Sequence, residues 1–233
     1  TNSKVYYNTN LAPSASFVST KVQRDLTAYA ESSDLNKYGA RFKYSRFLKV
    51  IDSSHESVTS NITTVEMRRD LRLATSEVAE YAIDFGNEFH VRSMNGFNIR
   101  TSAFRVLNIN TDVYLYDIPD STAEKGQISL FSLDEGSSTP VIQRRNVGVI
   151  DYKKGRITLD PINIVSGKTK DNVDILEISA TPESNDIIGL QDLYLQLDSS
   201  FVDMVVDEIS SGADPSGSTY TVTTSYKNGN IIR

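Results

Sequence analysis

The run Asn146-Val147-Gly148-Val149-Ile150-Asp151-Tyr152-Lys153-Lys154-Gly155-Arg156-Ile157-Thr158-Leu159-Asp160 limits the possible folds of this chain more than any other segment. Two β-rich runs flank Lys153-Lys154-Gly155. Glycine accepts φ > 0 without a Cβ clash. A three-residue connection with Gly in the left-handed position closes a tight β-hairpin. Sheet is therefore predicted here.

Upstream the pattern is helical. Thr20-Lys21-Val22-Gln23 has the form of a capping box, and Val22, Leu26, Tyr29 and Ala30 recur at helical spacing, predicting a helix over about 20–31. Ser32-Ser33-Asp34 breaks it, and Gly39 closes the connection. Tyr44, Phe47, Leu48 and Ile51 then fall at i, i+3, i+4 and i+7, one apolar stripe on a helix of about 41–53. Lys43, Arg46 and Lys49 cluster away from that stripe, either as a docking face for an acidic partner or as a solvated helix side.

From about residue 58 the period changes to two. Tyr81, Ile83 and Phe85 alternate with Ala82 and Asp84, and Val113 with Leu115 and Ile128 with Leu130 continue the pattern. Gly86-Asn87 punctuates the first of these, and Asn95-Gly96 predicts a further hairpin turn. Short strands recur through Leu197, as in antiparallel sheets packed into a sandwich or barrel. The fold class is thus α+β, with two or three helices in the N-terminal half and an antiparallel β-rich, sandwich- or barrel-like region after them.

Charge suggests a boundary. Residues 1–109 hold 14 Lys/Arg against 11 Asp/Glu, and residues 110–233 hold 10 against 19, within a net charge of −6. The reversal falls at Asn108-Ile109-Asn110-Thr111, giving an expected mixed α/β domain over 1–109, a β-rich domain over 110–200 and a tail over 201–233. In the tail, Phe201–Ile209 reads as a strand or as a short helix, Ser210–Ser218 as a flexible linker, and Tyr220–Tyr226 as a strand. That last strand either adds to another subunit's sheet edge or folds back on its own sheet.

Composition narrows the chemistry. Zero Cys excludes disulfides, thiolate metal sites and thiol nucleophiles. There is no apolar run of membrane-spanning length and no signal-peptide core behind Thr1-Asn2-Ser3-Lys4, so no membrane association is expected. The start on Thr1 reads as the later part of a longer protein. An acidic second half disfavours nucleic acid. His55 and His90 are the only histidines and read as satisfied or outward-facing residues. Asp171-Asn172-Val173-Asp174 lacks the length, Gly and closing Glu of a calcium loop and reads as a turn. Asn61-Ile62-Thr63 is a formal glycosylation sequon without meaning unless secreted. No catalytic residue, cofactor, metal site or small-molecule substrate is predicted, and the chain is not expected to be an enzyme.

Taken in order, Tyr44–Asp52, Ser60–Thr63, Met67–Asp70, the hairpin at 146–160, and Val173–Ile178 leading into Pro182–Ile187 resemble the large wedge proteins of contractile-tailed phage baseplates. These form the baseplate-J-like family, whose T-even wedge member is gene product six. The resemblance spans about residues 15–198 and points to the carboxy-terminal part. It implies a late-made structural protein of the virion, assembled in the host cytoplasm into the tail baseplate. There it would form a homodimer and join other wedge proteins in a ring around the hub. The contacts expected on this basis are the helix at 41–53 (Lys43, Arg46, Phe47, Lys49), the hairpin tip (Lys153, Lys154, Arg156) and the tail (Phe201, Tyr220, Tyr226). The alternative is a carbohydrate-binding or cell-wall-degrading tail module, disfavoured by 12 Tyr but no Trp.

Overall fold

The computed structural model describes residues 1–134, 136–198, 201–212, 225–227 and 230–232, the last two runs by backbone alone. The fold is α+β and mostly β, with helices at Ala15–Ala30, Tyr44–Asp52 and Glu208–Ser211. Two compact units form. One comprises residues 1–29, 45–63 and 198–233, the other 30–44 and 64–197. The charge reversal at 108–111 lies inside the second unit.

In the first unit the Asn2–Tyr7 strand sits between Phe201–Val206 and Val58–Thr64. It pairs in parallel with Phe201–Val206, from Asn2 opposite Phe201 to Tyr7 opposite Val206. The segment that read as strand or helix is both: the strand ends at Val206 and a short helix follows from Glu208. Asp207 joins them. Its backbone N–H donates to Tyr7 O at 2.9 Å. Its carboxylate accepts from the Thr59 hydroxyl at 2.6 Å, the Ser210 hydroxyl at 2.7 Å and the Ser210 N–H at 3.0 Å. The Thr59 bond, then those of Ser210, holds the Asp207 carboxyl down to about 2.

The first helix starts earlier than Thr20. Ser14 Oγ accepts the Phe17 N–H at 3.2 Å and Ser14 O the Val18 N–H at 3.3 Å, the geometry of an N-cap. Thr20 instead donates its hydroxyl back to Ser16 O at 2.8 Å, as an interior threonine does. Val18, Val22, Leu26 and Tyr29 make the buried stripe, and the second helix adds Phe47 and Ile51. The rings of Tyr29 and Phe47 meet edge to face at 6.4 Å.

The second unit carries two larger antiparallel sheets and a two-stranded one. One orders its strands Val78–Asp84, Arg156–Ser166, Pro140–Asp151, Lys125–Leu133, Tyr114–Pro119, with Arg105–Val106 also on Arg156–Ser166. The other orders Lys168–Lys170, Val173–Ala180, Met67–Arg72, with Ile99–Thr101 also on Val173–Ala180. Inward residues of both, such as Ile83, Leu115, Leu130 and Ile157 from one and Met67, Leu176 and Ile178 from the other, share a single apolar core. Arg41–Phe42 pairs with Ile187–Ile188, and the Tyr44 N–H donates to Asp186 Oδ1 at 2.8 Å. This pairing and cap delay the second helix, expected from residue 41, until Tyr44.

The hairpin forms as its sequence requires, with Asp151 opposite Arg156 and Gly155 at φ +65°. A Cβ on Gly155 would lie 1.9 Å from Asn87 O, so close backbone approach and left-handed conformation both demand glycine. Asp171 and Asn172, at φ 50° and 60°, turn the chain between Lys168–Lys170 and Val173–Ala180. Asn95-Gly96 is also a turn, but not of a hairpin. Gly96 lies against Asp117 O and the Tyr116 ring, and the strand after it, Ile99–Thr101, pairs with Val173–Ala180.

Asp117 holds these pieces together. It is 0 % exposed on the Tyr114–Pro119 strand. Its Oδ1 accepts the Asn98 N–H at 2.8 Å and the Ile99 N–H at 3.0 Å. Its Oδ2 accepts the Asn98 side-chain amide at 2.8 Å and the Tyr152 hydroxyl at 2.7 Å. Burial, then the Asp117 carboxylate, pushes the Tyr152 phenol far above its ordinary range.

Removing one partner of a buried carboxylate leaves its desolvation uncompensated, so Tyr152→Phe should cost about 1–3 kcal/mol in urea unfolding. Asp117→Ala should cost more, because two backbone N–H groups, an amide and a phenol lose their acceptor together. Unchanged midpoints in both variants would refute the role given to this network.

Asp207 predicts a pH dependence. Its folded pKa lies below the ordinary carboxyl value of 3.8, so its contribution is present above about 3.8 and lost as pH falls toward about 2. Protection of the Ser210 amide against hydrogen exchange should fall across that interval in the wild type, while Asp207→Asn should show a flatter profile. Superimposable profiles would contradict the assignment.

Candidate interaction surfaces

The structure separates the expected contact residues into several classes. Lys43, Arg46 and Lys49 are all exposed, as a surface role needs. Phe47 is not available: it is 0 % exposed and packed on Tyr29. The stripe that made it a candidate contact is the helix's own core face.

At the hairpin tip only side chains project. The Phe89 N–H donates to Tyr152 O and the Phe85 N–H to Gly155 O, each at 2.8 Å, so the segment at 85–89 ties down the loop backbone. Lys153 and Lys154 are exposed, with Lys153 Nζ 3.4 Å from Glu124 Oε1. Arg156 donates twice to Asp84 Oδ2, at 2.5 and 3.1 Å. The Asp84 hydrogen bond raises the Arg156 pKa further. Asp84 itself is lowered: its partial burial acts upward, but the bonds from Arg156 and the Gly86 N–H outweigh it. Such exposed pairs contribute little stability and leave the cations available to exchange partners.

In the tail, Phe201 is 65 % exposed on an outer strand of its sheet. Ser210 and Ser211, expected in a linker, belong to the helix that Asp207 caps and Gly212 ends. Tyr226 lies on Ser225–Lys227, which pairs with Asn230–Ile232. Tyr220, with most of the expected linker and strand, lies outside the described residues.

One surface was absent from the sequence expectations. Tyr114, Tyr116 and Phe131 stand on the outward face of neighbouring strands, with Tyr114 opposite Phe131 and Tyr116 opposite Ser129. Phe97 joins them, its ring 4.4 Å from Tyr116 and 5.4 Å from Phe131; Tyr114 and Phe131 stack at 5.4 Å. Phe97 is 50 % exposed and holds φ 63°, a strained conformation for a bulky residue. The bonds from Asp117 to Asn98 and Ile99 fix the backbone just after it. The available signal was alternation: once Leu115 and Leu130 face the core, Tyr114, Tyr116 and Phe131 must face out.

Groups suited to catalysis are dispersed. His55 Nδ1 accepts the Ser57 N–H at 3.1 Å and lies 2.7 Å from Ser57 Oγ, with Phe17 edge-on at 5.7 Å. His90 Nδ1 is 2.6 Å from Glu183 Oε2 on the surface. A shallow pocket of about 340 Å³ includes Phe104, Arg105, Asp112 and Lys168. Its charges are already engaged, Arg105 with Asp112 at 2.8 Å and Lys168 with Glu177 at 2.9 Å. Among the described residues no group of three His, Cys, Asp or Glu is placed to hold a metal, and no helix is long and apolar enough to cross a membrane.

Comparison with known proteins adds one finding. No curated protein matches the chain. Residues 1–70 match the model of the family described as baseplate structural protein gp6, C-terminal domain III. The match starts at the first residue, before the start near 15 implied by the sequence resemblance. It takes in Tyr44–Asp52, Ser60–Thr63 and Met67–Asp70, while the hairpin at 146–160 and the Val173–Ile187 segment lie beyond it. Through these first 70 residues the chain is similar to the C-terminal part of a gp6-like baseplate wedge protein, a structural component of the phage tail.

Proposed function

We propose that this protein is a wedge subunit of a contractile phage tail baseplate, paired with itself and joined to other wedge proteins in a ring around the hub. It works through matched surfaces and not through a reactive pocket. The observation that carries this is the gp6 C-terminal domain III match over residues 1–70. The surface is consistent with it: Lys43, Arg46, Lys49, Lys153 and Lys154 are exposed, Arg156 is exposed while paired with Asp84, and Phe201 is largely open. Complementary charge of this kind mainly steers encounter and register, and buried apolar area supplies affinity. Assembly in the host cytoplasm and late synthesis belong to the same proposal.

A carbohydrate-binding role has one observation in its favour, the aromatic face at Phe97, Tyr114, Tyr116 and Phe131. These rings occupy one another, however. Phe97 meets Phe131 at 83° and Tyr116 meets Phe131 at 82°, so ring edges cover faces that a sugar would stack on. Native mass spectrometry with cell-wall oligosaccharides separates the two roles.

Immunogold labelling of purified virions with an antibody to this chain should mark the tail baseplate. Label on the head or along the sheath, or saturable oligosaccharide binding, would overturn the wedge assignment. Charge reversal of Lys43, Arg46 and Lys49 together should lower incorporation into baseplates roughly tenfold or more without changing thermal stability, since all three side chains are solvent-exposed.

A further inference from the structure

We infer that the open edge of the Met67–Arg72 strand accepts an extended, acidic segment of a different protein, which adds to the four-stranded sheet as a further strand. This rests on the joining to other proteins proposed above and names the strand and the chemistry it takes. Within that sheet Val173–Ala180 is paired on both sides, by Met67–Arg72 on one and by Lys168–Lys170 and Ile99–Thr101 on the other. Met67–Arg72 ends the order, with no strand beyond it among the described residues. Its polar groups alternate. The Leu73 N–H donates to Asp174 O at 3.0 Å, so Leu71, Arg69 and Met67 also turn their N–H and C=O groups toward Val173–Ala180. Those of Arg68, Asp70 and Arg72 point the other way, and among the described residues nothing bonds them. All three residues are exposed, and the strand keeps one register throughout, without the proline or bulge that blocks an edge. Such a row of unpaired backbone groups is a template for one more strand.

Charge selects which chain. The register sets Arg68 opposite Ser179, Asp70 opposite Glu177 and Arg72 opposite Ile175. Arg100 opposite Ser179, Lys168 opposite Ile175 and Lys170 opposite Val173 share that outward face. These five cations meet three carboxylates: Lys170 pairs with Asp70 at 2.7 Å, Lys168 with Glu177 at 2.9 Å and Arg100 with Glu66 at 3.8 Å. Arg68 shares Asp70 at 3.2 Å and Glu177 at 3.8 Å, and among the described residues no ion pair engages Arg72. A second copy does not fit this edge. Antiparallel self-pairing centred on Asp70 would set Arg68 against Arg72 and Asp70 against Asp70, like charges directly opposite, and parallel pairing in register would do the same. A strand with carboxylates at i and i+4 and a neutral or basic residue at i+2 matches Arg68, Asp70 and Arg72 in turn, since alternate side chains share a face about 7 Å apart. Opposite charges across the strands then specify the partner, while the ladder bonds hold it.

Fluorescence anisotropy of labelled nine-residue peptides added to the whole chain tests this, with Glu at two positions four apart, Lys midway and Val or Thr elsewhere. The peptide should bind saturably and slow hydrogen exchange of the Arg68, Asp70 and Arg72 amides at least about tenfold. Arg72→Glu should weaken binding about tenfold, and replacing both Glu of the peptide by Lys should restore it. N-methylation along the peptide backbone should abolish binding with the charges unchanged. Asp70→Pro removes an N–H that faces solvent, so the fold should persist while the peptide no longer binds. If that variant misfolds, the N-methylated peptide decides. Binding that survives N-methylation is charge capture alone and overturns strand addition, as does failure to bind at millimolar concentration. Protection of those amides that rises with the concentration of the chain by itself would put a second copy on the edge and overturn the proposal too. Baseplate labelling without peptide binding sinks this edge and leaves the wedge role standing; peptide binding with label elsewhere does the reverse.

Discussion

A carboxylate buried without a cation beside it is the constraint on which the second unit turns. Taking Asp117 out of water is tolerable only because both oxygens are saturated, by two backbone N–H groups, an amide and a phenol. Those four donors reach it from two distant stretches of chain. Asn98 and Ile99 lead into the strand that pairs with Val173–Ala180, while Tyr152 comes from the loop of the long hairpin. One side chain therefore fixes where the second sheet's short strand begins, where the hairpin loop sits, and how Phe97 is held. Burial and hydrogen bonding reinforce each other here: the low dielectric that makes an unsatisfied carboxylate costly also strengthens each bond it makes.

Much of this was legible wherever local signals and tertiary packing agree. Gly155 announced its hairpin because a left-handed residue and a close backbone neighbour both exclude a side chain. Of Asp171-Asn172-Val173-Asp174, read as a turn, the first two residues turn the chain and the last two already belong to the strand Val173–Ala180, and the stripe at Phe47 and Ile51 read as a helix face and is one. Boundaries failed where a competing partner intervened. Ser14 captured the helix start that Thr20 could have capped, and pairing of Arg41–Phe42 held off the second helix until Tyr44. Asn95-Gly96 misled for a similar reason, since its Gly serves close contact with Asp117 and Tyr116 and joins no two adjacent strands.

The division into units was not legible at all. The Asn2–Tyr7 strand finds its parallel partner at Phe201–Val206, nearly the whole chain away, and no local pattern encodes a pairing at that distance. A parallel ladder also lacks the short turn that betrays a hairpin. Composition was a misleading guide, because the charge reversal at 108–111 reports surface chemistry and not contact. The surfaces were legible in part. Cations at Lys43, Arg46 and Lys49 could be read as exposed by their offset from the apolar stripe. Phe47 could not be both core and contact, and the core won. The aromatic face was overlooked because aromatic residues are ordinary strand formers, and only the register decides which of them face water.

A half-buried aromatic row beside an exposed Phe97 is a hazard for a chain that lives alone and an asset for one that lives in an assembly. Apolar rings left partly in water favour any contact that covers them, and polar residues there would leave the core unchanged. Here the outward positions are kept aromatic while their inward neighbours, Leu115 and Leu130, already fill the core without them. Core packing alone therefore does not account for Tyr114, Tyr116 and Phe131. Strain at Phe97 points the same way, since a left-handed phenylalanine raises the free energy of the folded chain. The Asp117 bonds to Asn98 and Ile99 offset that strain, which makes the cost of displaying Phe97 part of the cost of folding. A surface prepared in advance, with little left to order on contact, suits a subunit whose work begins only when a neighbour arrives.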